Sequence, residues 1–185
     1  VVVASMTAMR EADCCQLQKS AINRLEGTIR VKTAKTGKTV TIPIAPKLAE
    51  VLAAAPVTNS PYVFPECAQL FKLHPDAITD RTRAVLADAG YFDPVPGGPK
   101  PIAPIHVERE PGKGIRRASV IDFHSFRATW VTIAMTHGVP IDVVCLVTGH
   151  GSAETLRKHY FLPGLEDLRR VLNTRLPTVL GGEKN

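Results

Sequence analysis

Six side chains in this sequence have the chemical types needed to cleave a phosphodiester without a metal ion. Negative charge grows on the phosphate oxygens during nucleophilic attack, so such a reaction needs planar cations, proton donors and a nucleophile at one phosphate. The chain carries such groups in the following order: Arg10, Lys35, His124, Arg127, His150 and Tyr160. The elements predicted from the sequence must bring these six residues to one place.

His124 and Arg127 are three residues apart and follow Asp122, a typical helix N-cap residue. Side chains at positions i and i+3 point the same way on a helix, so both could contact one phosphate. Taken alone, the pair is equally typical of a capped surface helix. The core face of this helix is predicted at four apolar positions, namely Phe126, Trp130, Ile133 and Ala134. Gly138 predicts the end of the helix.

His150 and Tyr160 can share a site only if the chain turns between them. Ten residues of unbroken helix would separate them by about 15 Å and leave them well off a common face. Gly149 and Gly151 predict the turn, and Ser152 predicts the N-cap of a new helix that carries Tyr160 back toward His150.

A β-hairpin is predicted where two β-branched segments, residues 29–32 and 40–44, flank the glycine-containing turn 35–38. Three lysines lie at or near its tip, namely Lys32, Lys35 and Lys38.

Other helices are predicted over residues 1–18, 46–55, 75–89 and 140–147, and an extended segment over 61–65. Residues 90–117 are rich in Pro, Gly and Lys and predict an irregular loop or insertion. A leucine stripe (Leu165, Leu168, Leu172 and Leu176) predicts a C-terminal helix followed by a tail, within residues 163–185.

The composition indicates one soluble, globular domain over residues 1–185, with 44% apolar residues and a mean hydropathy of +0.02. No segment has the roughly 20 apolar residues needed to cross a bilayer, and no signal peptide is recognisable, so we expect a cytoplasmic protein.

The net charge of +6 suits a polyanionic partner. Aromatic residues make up 5%, which disfavours base stacking as the binding mode. Four cysteines lack zinc-binding spacing and are expected to be reduced, with Cys145 buried.

The order and spacing of the six residues resemble the tyrosine recombinase (phage integrase) superfamily. Its catalytic domain has a first Arg, a hairpin Lys, His-x-x-Arg, Gly-His and a nucleophilic Tyr. Residues 7–10, Thr-Ala-Met-Arg, are similar to the family's Thr-Gly-Leu-Arg segment, and the resemblance covers residues 5–165. It implies a mainly α fold with a small antiparallel β-sheet (α+β). It also implies that no cofactor and no metal is needed.

The resemblance implies a role for each residue. Arg10 and Arg127 would bind the non-bridging phosphate oxygens, and Asp13 would support Arg10. Lys35, which falls where the family has its general acid, would protonate the leaving 5′-oxygen. His150 and His124 would donate hydrogen bonds, and His124 could take the tyrosine proton.

Tyr160 would be the nucleophile that forms a 3′-phosphotyrosyl bond. In the commonest family spacing the tyrosine lies one residue nearer to the Gly-His motif, at the position of His159 here. His159 would be a neighbour of the nucleophile or a phosphate contact. Tyr62 lies in an apolar, strand-like segment and Tyr91 in the irregular loop, which leaves Tyr160 near the carboxyl end.

The resemblance further implies double-stranded DNA as the partner and a homotetramer on DNA for the full-length protein. We expect a catalytic fragment that lacks the family's amino-terminal DNA-clamping domain. A site-specific recombinase or integrase is the leading prediction. The alternatives are a type IB topoisomerase-like enzyme and a non-catalytic DNA-binding regulator that retains the fold. A metal-dependent nuclease built on His124, His150 and His159 would lack acidic ligands.

Overall fold

A computed structural model describes residues 1–93, 100–101, 104–108, 115–119 and 121–175. The helices in these residues are α1 (Val2–Thr7), α2 (Glu11–Cys15), α3 (Pro46–Ala53), α4 (Pro65–Leu73), α5 (Pro75–Asp88), α6 (Phe123–Thr136), α7 (Ile141–Thr148), α8 (Ala153–Tyr160) and α9 (Leu165–Arg175). The strands are β1 (Ile22–Asn23), β2 (Thr28–Lys32), β3 (Thr39–Pro43), β4 (Phe92–Asp93), β5 (Lys100–Pro101), β6 (Pro104–Glu108) and β7 (Ile115–Ser119). The predicted fold class, mainly helical with a small antiparallel sheet, is confirmed.

The predicted β-hairpin is present as β2 and β3, which pair antiparallel with Val31 opposite Val40. Strand β1 extends the sheet in the order β1-β2-β3. One face of the hairpin is buried through Ile29, Val40 and Ile42, while alternate residues face solvent. The buried face fixes the register of the two strands and therefore the position of the turn with its lysines.

The single helix predicted over residues 1–18 was wrong. Helix α1 ends at Thr7, and Ala8 adopts a left-handed conformation with φ 55°. The Thr7 hydroxyl donates to the Val3 carbonyl and accepts from the Met9 amide, so this side chain stabilises the break. An alanine with positive φ is uncommon, and the absence of Gly and Pro gave no signal for it.

The prediction of an irregular segment over residues 90–117 was wrong in its described parts. Strand β4 pairs with β5, and β6 pairs with β7 from Pro104 opposite Ser119 to Glu108 opposite Ile115. The high Pro and Gly content hid the alternation of apolar and polar residues in β6. Helix α4 was also missed, because Pro65 closes the predicted extended segment yet begins a helix at its first turn. Within that segment Tyr62 bridges to Gln18.

Two groups of buried apolar side chains form the core. The larger group joins α1, α2, the hairpin and α3 to Phe123 at the start of α6. The smaller group joins α6, α7 and α8 through Val131, Ala134, Val144 and Leu156. The predicted core face of α6 was wrong at Ile133, which is half exposed, whereas Arg127 is buried on that helix. Helix α6 thus lies between the two groups and presents a guanidinium where they meet.

The ends of α6, α7 and α8 are close to those predicted. Asp122 and Ser125 form a capping box at the start of α6, and Ser152 caps α8 through the Thr155 amide. Gly149 ends α7 with φ 71°. The predicted C-terminal helix is present as α9, with Leu165, Leu168 and Leu172 largely exposed. Leu176 lies outside the described residues.

Among the described residues no helix is long and apolar enough to cross a membrane.

We predict that Gly149→Ala destabilises the fold more than Gly27→Ala does. Both glycines have positive φ, 71° and 61°, which costs alanine about 1 kcal/mol. At Gly149 a Cβ atom would also lie 3.0 Å from Val40 Cγ1, whereas at Gly27 it would meet nothing within 4 Å. Val40 is buried and stiff at χ1, so the clash should cost about a further 1–3 kcal/mol. Equal losses of unfolding free energy in denaturant titrations would contradict this account.

Candidate active site

Arg127 is the best anchored of the predicted site residues. Its side chain leaves α6 between the two core groups and is 2% exposed. Nη1 donates to the Ala8 carbonyl at 2.6 Å, and Nη2 donates to the Thr148 carbonyl at 2.6 Å. Both carbonyls lie at helix ends, where backbone acceptors lack helical partners. The guanidinium therefore ties the end of α1 and the end of α7 to α6.

Two buried donors at this site have no partner. Arg127 Nε and Arg10 Nη1 are both inaccessible to solvent and make no hydrogen bond in the described part of the chain. An unpaired buried donor is costly, about 1–3 kcal/mol, and more when the group is charged. Arg10 is also close enough that its charge lowers the pKa of Arg127, after the larger effect of burial. Two such donors on neighbouring arginines would suit an anion with several oxygens.

His124, His150 and Tyr160 meet at the same place. His124 Nε2 lies 3.0 Å from the Tyr160 hydroxyl. The His150 and Tyr160 ring centres are 4.4 Å apart, and Arg127 Cζ lies 5.5 Å from the Tyr160 ring centre. The turn predicted at Gly149 and Gly151 does bring α8 back toward His150. Four of the six residues thus contact one another.

Burial and the nearby cations keep both imidazoles neutral at pH 7. Burial, followed by the charges of Arg127 and Arg10, lowers the pKa of His150 to about 4. Burial and Arg127 likewise lower the pKa of His124, against a smaller opposing effect of Asp122. Burial and Arg10 lower the pKa of Arg127 to about 10, which still leaves the guanidinium charged. A neutral His124 has one nitrogen free to accept the phenolic proton.

The hairpin places its lysines on two sides of the site. Lys35 is exposed at the turn, and its charge is among those that lower the pKa of His124. Lys38 Nζ instead lies against the α7–α8 turn, 3.6 Å from where a Cβ on Gly151 would stand. Lys32 packs along its own hairpin, with Cε 4.0 Å from a Cβ placed on Gly37. Lys35 is therefore the hairpin lysine whose charge acts on His124.

Asp13 is buried but contacts the hairpin rather than Arg10. Its Oδ1 accepts a hydrogen bond from the Ala34 amide at 2.9 Å. In the described residues no hydrogen bond or ion pair joins Asp13 to Arg10. The carboxylate therefore holds the backbone next to Lys35, a contact between distant segments that the sequence did not reveal.

The other candidates lie outside the cluster. His159 is exposed on α8, Tyr91 is exposed after α5, and Tyr62 pairs with Gln18. All four cysteines are free, and Cys145, predicted to be buried, is partly exposed. No group of three His, Cys, Asp or Glu side chains that could hold a metal ion occurs among the described residues.

Two residues at the site were missed by sequence reasoning. The Ala8 carbonyl and the Thr148 side chain and carbonyl contact Arg127 or His150. A main-chain acceptor has no sequence signal. Thr148 directly precedes the Gly-His pair, so its place beside His150 was readable, although its contacts were not.

The helices and the small antiparallel sheet form the fold of tyrosine recombinase catalytic domains. The XerA recombinase structure shares this fold with a TM-score of 0.67 and 19% identity, over 95% of this chain and 56% of that one. The XerH recombinase bound to palindromic difH substrate has a TM-score of 0.62 and 19% identity, over 93% and 43%. The catalytic domain of bacteriophage HP1 integrase has a TM-score of 0.50 and 19% identity, over 94% and 79%.

The chain spans about half the length of the XerA and XerH chains. No family model and no curated protein matches the sequence. The resemblance inferred from the motifs is thus confirmed at the level of the fold.

We predict that Asp13→Ala loosens the hairpin tip while Asp13→Asn largely preserves it. Alanine removes the acceptor of the Ala34 amide, and a hydrogen bond to a charged group is worth about 1.5–3 kcal/mol. Asparagine keeps a side-chain oxygen at the same place. Amide hydrogen exchange should show faster exchange of the Ala34 N–H in the alanine variant, with a lower unfolding free energy. Unchanged protection of Ala34 in that variant would refute the contact.

Proposed function

We propose that this chain is the catalytic part of a site-specific DNA recombinase or integrase that cuts and rejoins strands by metal-independent transesterification. The observation that carries the proposal is the Tyr160 hydroxyl 3.0 Å from His124 Nε2, beside Arg127 and Arg10, each of which has one buried nitrogen without a hydrogen-bond partner among the described residues. A nucleophile with its base and an anion site are the parts that attack on a phosphodiester requires.

In the proposed reaction the phosphate lies against Arg10 and Arg127. Arg10 Nη1 and Arg127 Nε donate to the non-bridging oxygens, where negative charge accumulates. Arg127 Nη1 and Nη2 each donate one hydrogen bond to a carbonyl, whereas Nε has no partner among the described residues and is a donor left for the substrate. The guanidinium is thus held in place before the substrate arrives.

Tyr160 is the proposed nucleophile and His124 its base. Free tyrosine has a pKa of about 10, so attack at neutral pH needs an acceptor for its proton. The phenolic oxygen bonds to phosphorus, its proton passes to His124 Nε2, and the bond to the 5′-oxygen breaks. Lys35 gives the departing 5′-oxygen a proton. Because the 3′-phosphotyrosyl bond retains the energy of the phosphodiester, the reverse attack rejoins the strand.

The proposed substrate is double-stranded DNA. XerH was solved on difH substrate and the Tn1549 transposon integrase on transposon right end DNA, which supports a DNA substrate for this fold. The net charge of +6 fits a polyanion. From the family resemblance of the sequence motifs, we propose that the whole protein acts as a homo-oligomer on DNA.

Substitution of the nucleophile tests the proposal directly. Wild type and Tyr160→Phe are each incubated with a nicked suicide duplex in EDTA, and covalent protein-DNA bands are resolved on denaturing gels. We expect a band for wild type and none for Tyr160→Phe, because the phenolic oxygen forms the covalent bond. Tyr62→Phe is the matched control and should retain the band.

A band that persists in Tyr160→Phe would disprove the nucleophile. A band that requires a divalent metal would disprove the metal-independent chemistry.

A modified substrate can show whether Lys35 or Lys38 is the general acid. Lys35→Ala should lower the cleavage rate by about 10² to 10³-fold on normal DNA. A 5′-bridging phosphorothiolate should restore that rate, because a thiolate leaves without a proton. Lys38→Ala, whose lysine lies at the Gly151 turn, should show no such selective rescue. Rescue of Lys38→Ala but not of Lys35→Ala, measured by single-turnover cleavage, would reverse the assignment.

A further inference from the structure

Thr148 makes side-chain hydrogen bonds in two directions although it is 2% exposed. Its hydroxyl lies 2.6 Å from the Val144 carbonyl one turn earlier in α7. The same oxygen lies 2.7 Å from His150 Nδ1. Its carbonyl meanwhile accepts from Arg127 Nη2. One residue thus contacts both an imidazole and a guanidinium of the site.

The direction of each hydrogen bond follows from the groups involved. A hydroxyl has one proton, and a carbonyl can only accept, so Thr148 donates its proton to Val144. The Thr148 oxygen must then accept from His150, which requires the proton of the imidazole to be on Nδ1. In a neutral imidazole this leaves Nε2 without a proton.

The contact with Arg127 does not determine which nitrogen of His150 carries the proton. Arg127 Nη2 lies 3.3 Å from His150 Nε2 and 3.5 Å from Nδ1. If Nη2 donated to one ring nitrogen in the plane of the imidazole, the other nitrogen would lie too far away for a hydrogen bond. Because the distances from Nη2 to Nδ1 and to Nε2 are nearly equal, Nη2 lies over the face of the His150 ring. Its short hydrogen bond goes to the Thr148 carbonyl instead. The hydroxyl of Thr148 is therefore the group that distinguishes Nδ1 from Nε2.

We propose that Thr148 is a positioning residue that fixes His150 in its Nδ1–H form and keeps Nε2 directed to the anion site. This inference rests on the proposed function for its catalytic consequence, but not for the tautomer itself. Protonation of His150 would then occur at Nε2, since Nδ1 already carries a proton bound to Thr148. Proton gain at Nε2 creates a hydrogen-bond donor for a phosphate oxygen without rotating the ring.

The tautomer can be observed in the free protein without DNA. Two-bond ¹⁵N–¹H spectra of protein labelled at histidine distinguish Nδ1–H from Nε2–H at pH 7, and His150→Gln assigns the signals. We expect the Nδ1–H pattern in wild type and in Thr148→Ser, which keeps the hydroxyl. Valine has nearly the same size as threonine but no hydroxyl, so in Thr148→Val the His150 signals should no longer show the Nδ1–H form alone.

His137 serves as an internal reference. Its Nδ1 lies 2.8 Å from the Ile133 carbonyl and must donate by the same reasoning, yet it has no contact with Thr148. Its signals should be the same in all variants. An unfolded Thr148→Val would lose the His137 pattern as well, and the wild-type spectrum would then decide, since an Nε2–H pattern for His150 would overturn the proposal.

Cleavage of the suicide duplex supplies the second readout. We expect Thr148→Val to be slower by about 10- to 100-fold, the usual effect of losing a group that orients an imidazole, and Thr148→Ser to recover most of the rate. An Nε2–H pattern in wild type, or an unchanged Nδ1–H pattern in Thr148→Val, would overturn the proposal. If wild type did not cleave DNA, the proposed function would fail while the spectra still decided the role of Thr148.

Discussion

The buried guanidinium of Arg127 is the interaction on which the rest of the structure depends. A charge in this position is tolerated only because its donors meet carbonyls at two helix ends. Those helix ends belong to the two core groups, so the same hydrogen bonds that satisfy the charge also hold the groups together. Substituting an apolar residue would leave the Ala8 and Thr148 carbonyls without these donors. A substitution of Arg127 would therefore disturb the packing of the fold and the candidate site together.

Two residues with left-handed backbone conformation, Ala8 and Gly149, lie at the carbonyls that accept hydrogen bonds from Arg127. Ala8 takes a left-handed conformation and its carbonyl accepts from Arg127, while the left-handed Gly149 ends α7 just after the Thr148 carbonyl. Gly149 also packs closely on Val40 of the hairpin. Helices α1 and α7 thus meet α6 through main-chain carbonyls, and the hairpin packs against the end of α7. Among the described residues Arg127 Nε and Arg10 Nη1 have no hydrogen-bond partner, which is a cost that a bound anion would remove.

Much of this arrangement could be predicted from the sequence because it depends on local signals. Asp122, Gly138 and Ser152 mark helix ends through side-chain or glycine chemistry, and the β-branched strands mark the hairpin. The break at Ala8 could not be predicted, because it depends on a Thr7 hydroxyl in a local competition with the helix. The Asp13 contact with Ala34 joins residues 21 apart in the chain, and only the folded structure brings them together. Burial of Arg127 was likewise hidden, since an arginine on α6 is expected to face solvent.

Charge couples the members of the site to any anion that binds there. Burial, followed by the charges of Arg127 and Arg10, lowers the pKa values of His124 and His150, so both imidazoles are neutral in the free protein at pH 7. A phosphate placed between the arginines would oppose their field and raise both pKa values. His124 would then hold a proton from Tyr160 more readily once the phosphate is present, and less readily in its absence. The same cations that orient the substrate therefore lower the affinity of His124 for a proton until the substrate is bound, which is a consequence of their sign and position rather than of any movement of the chain.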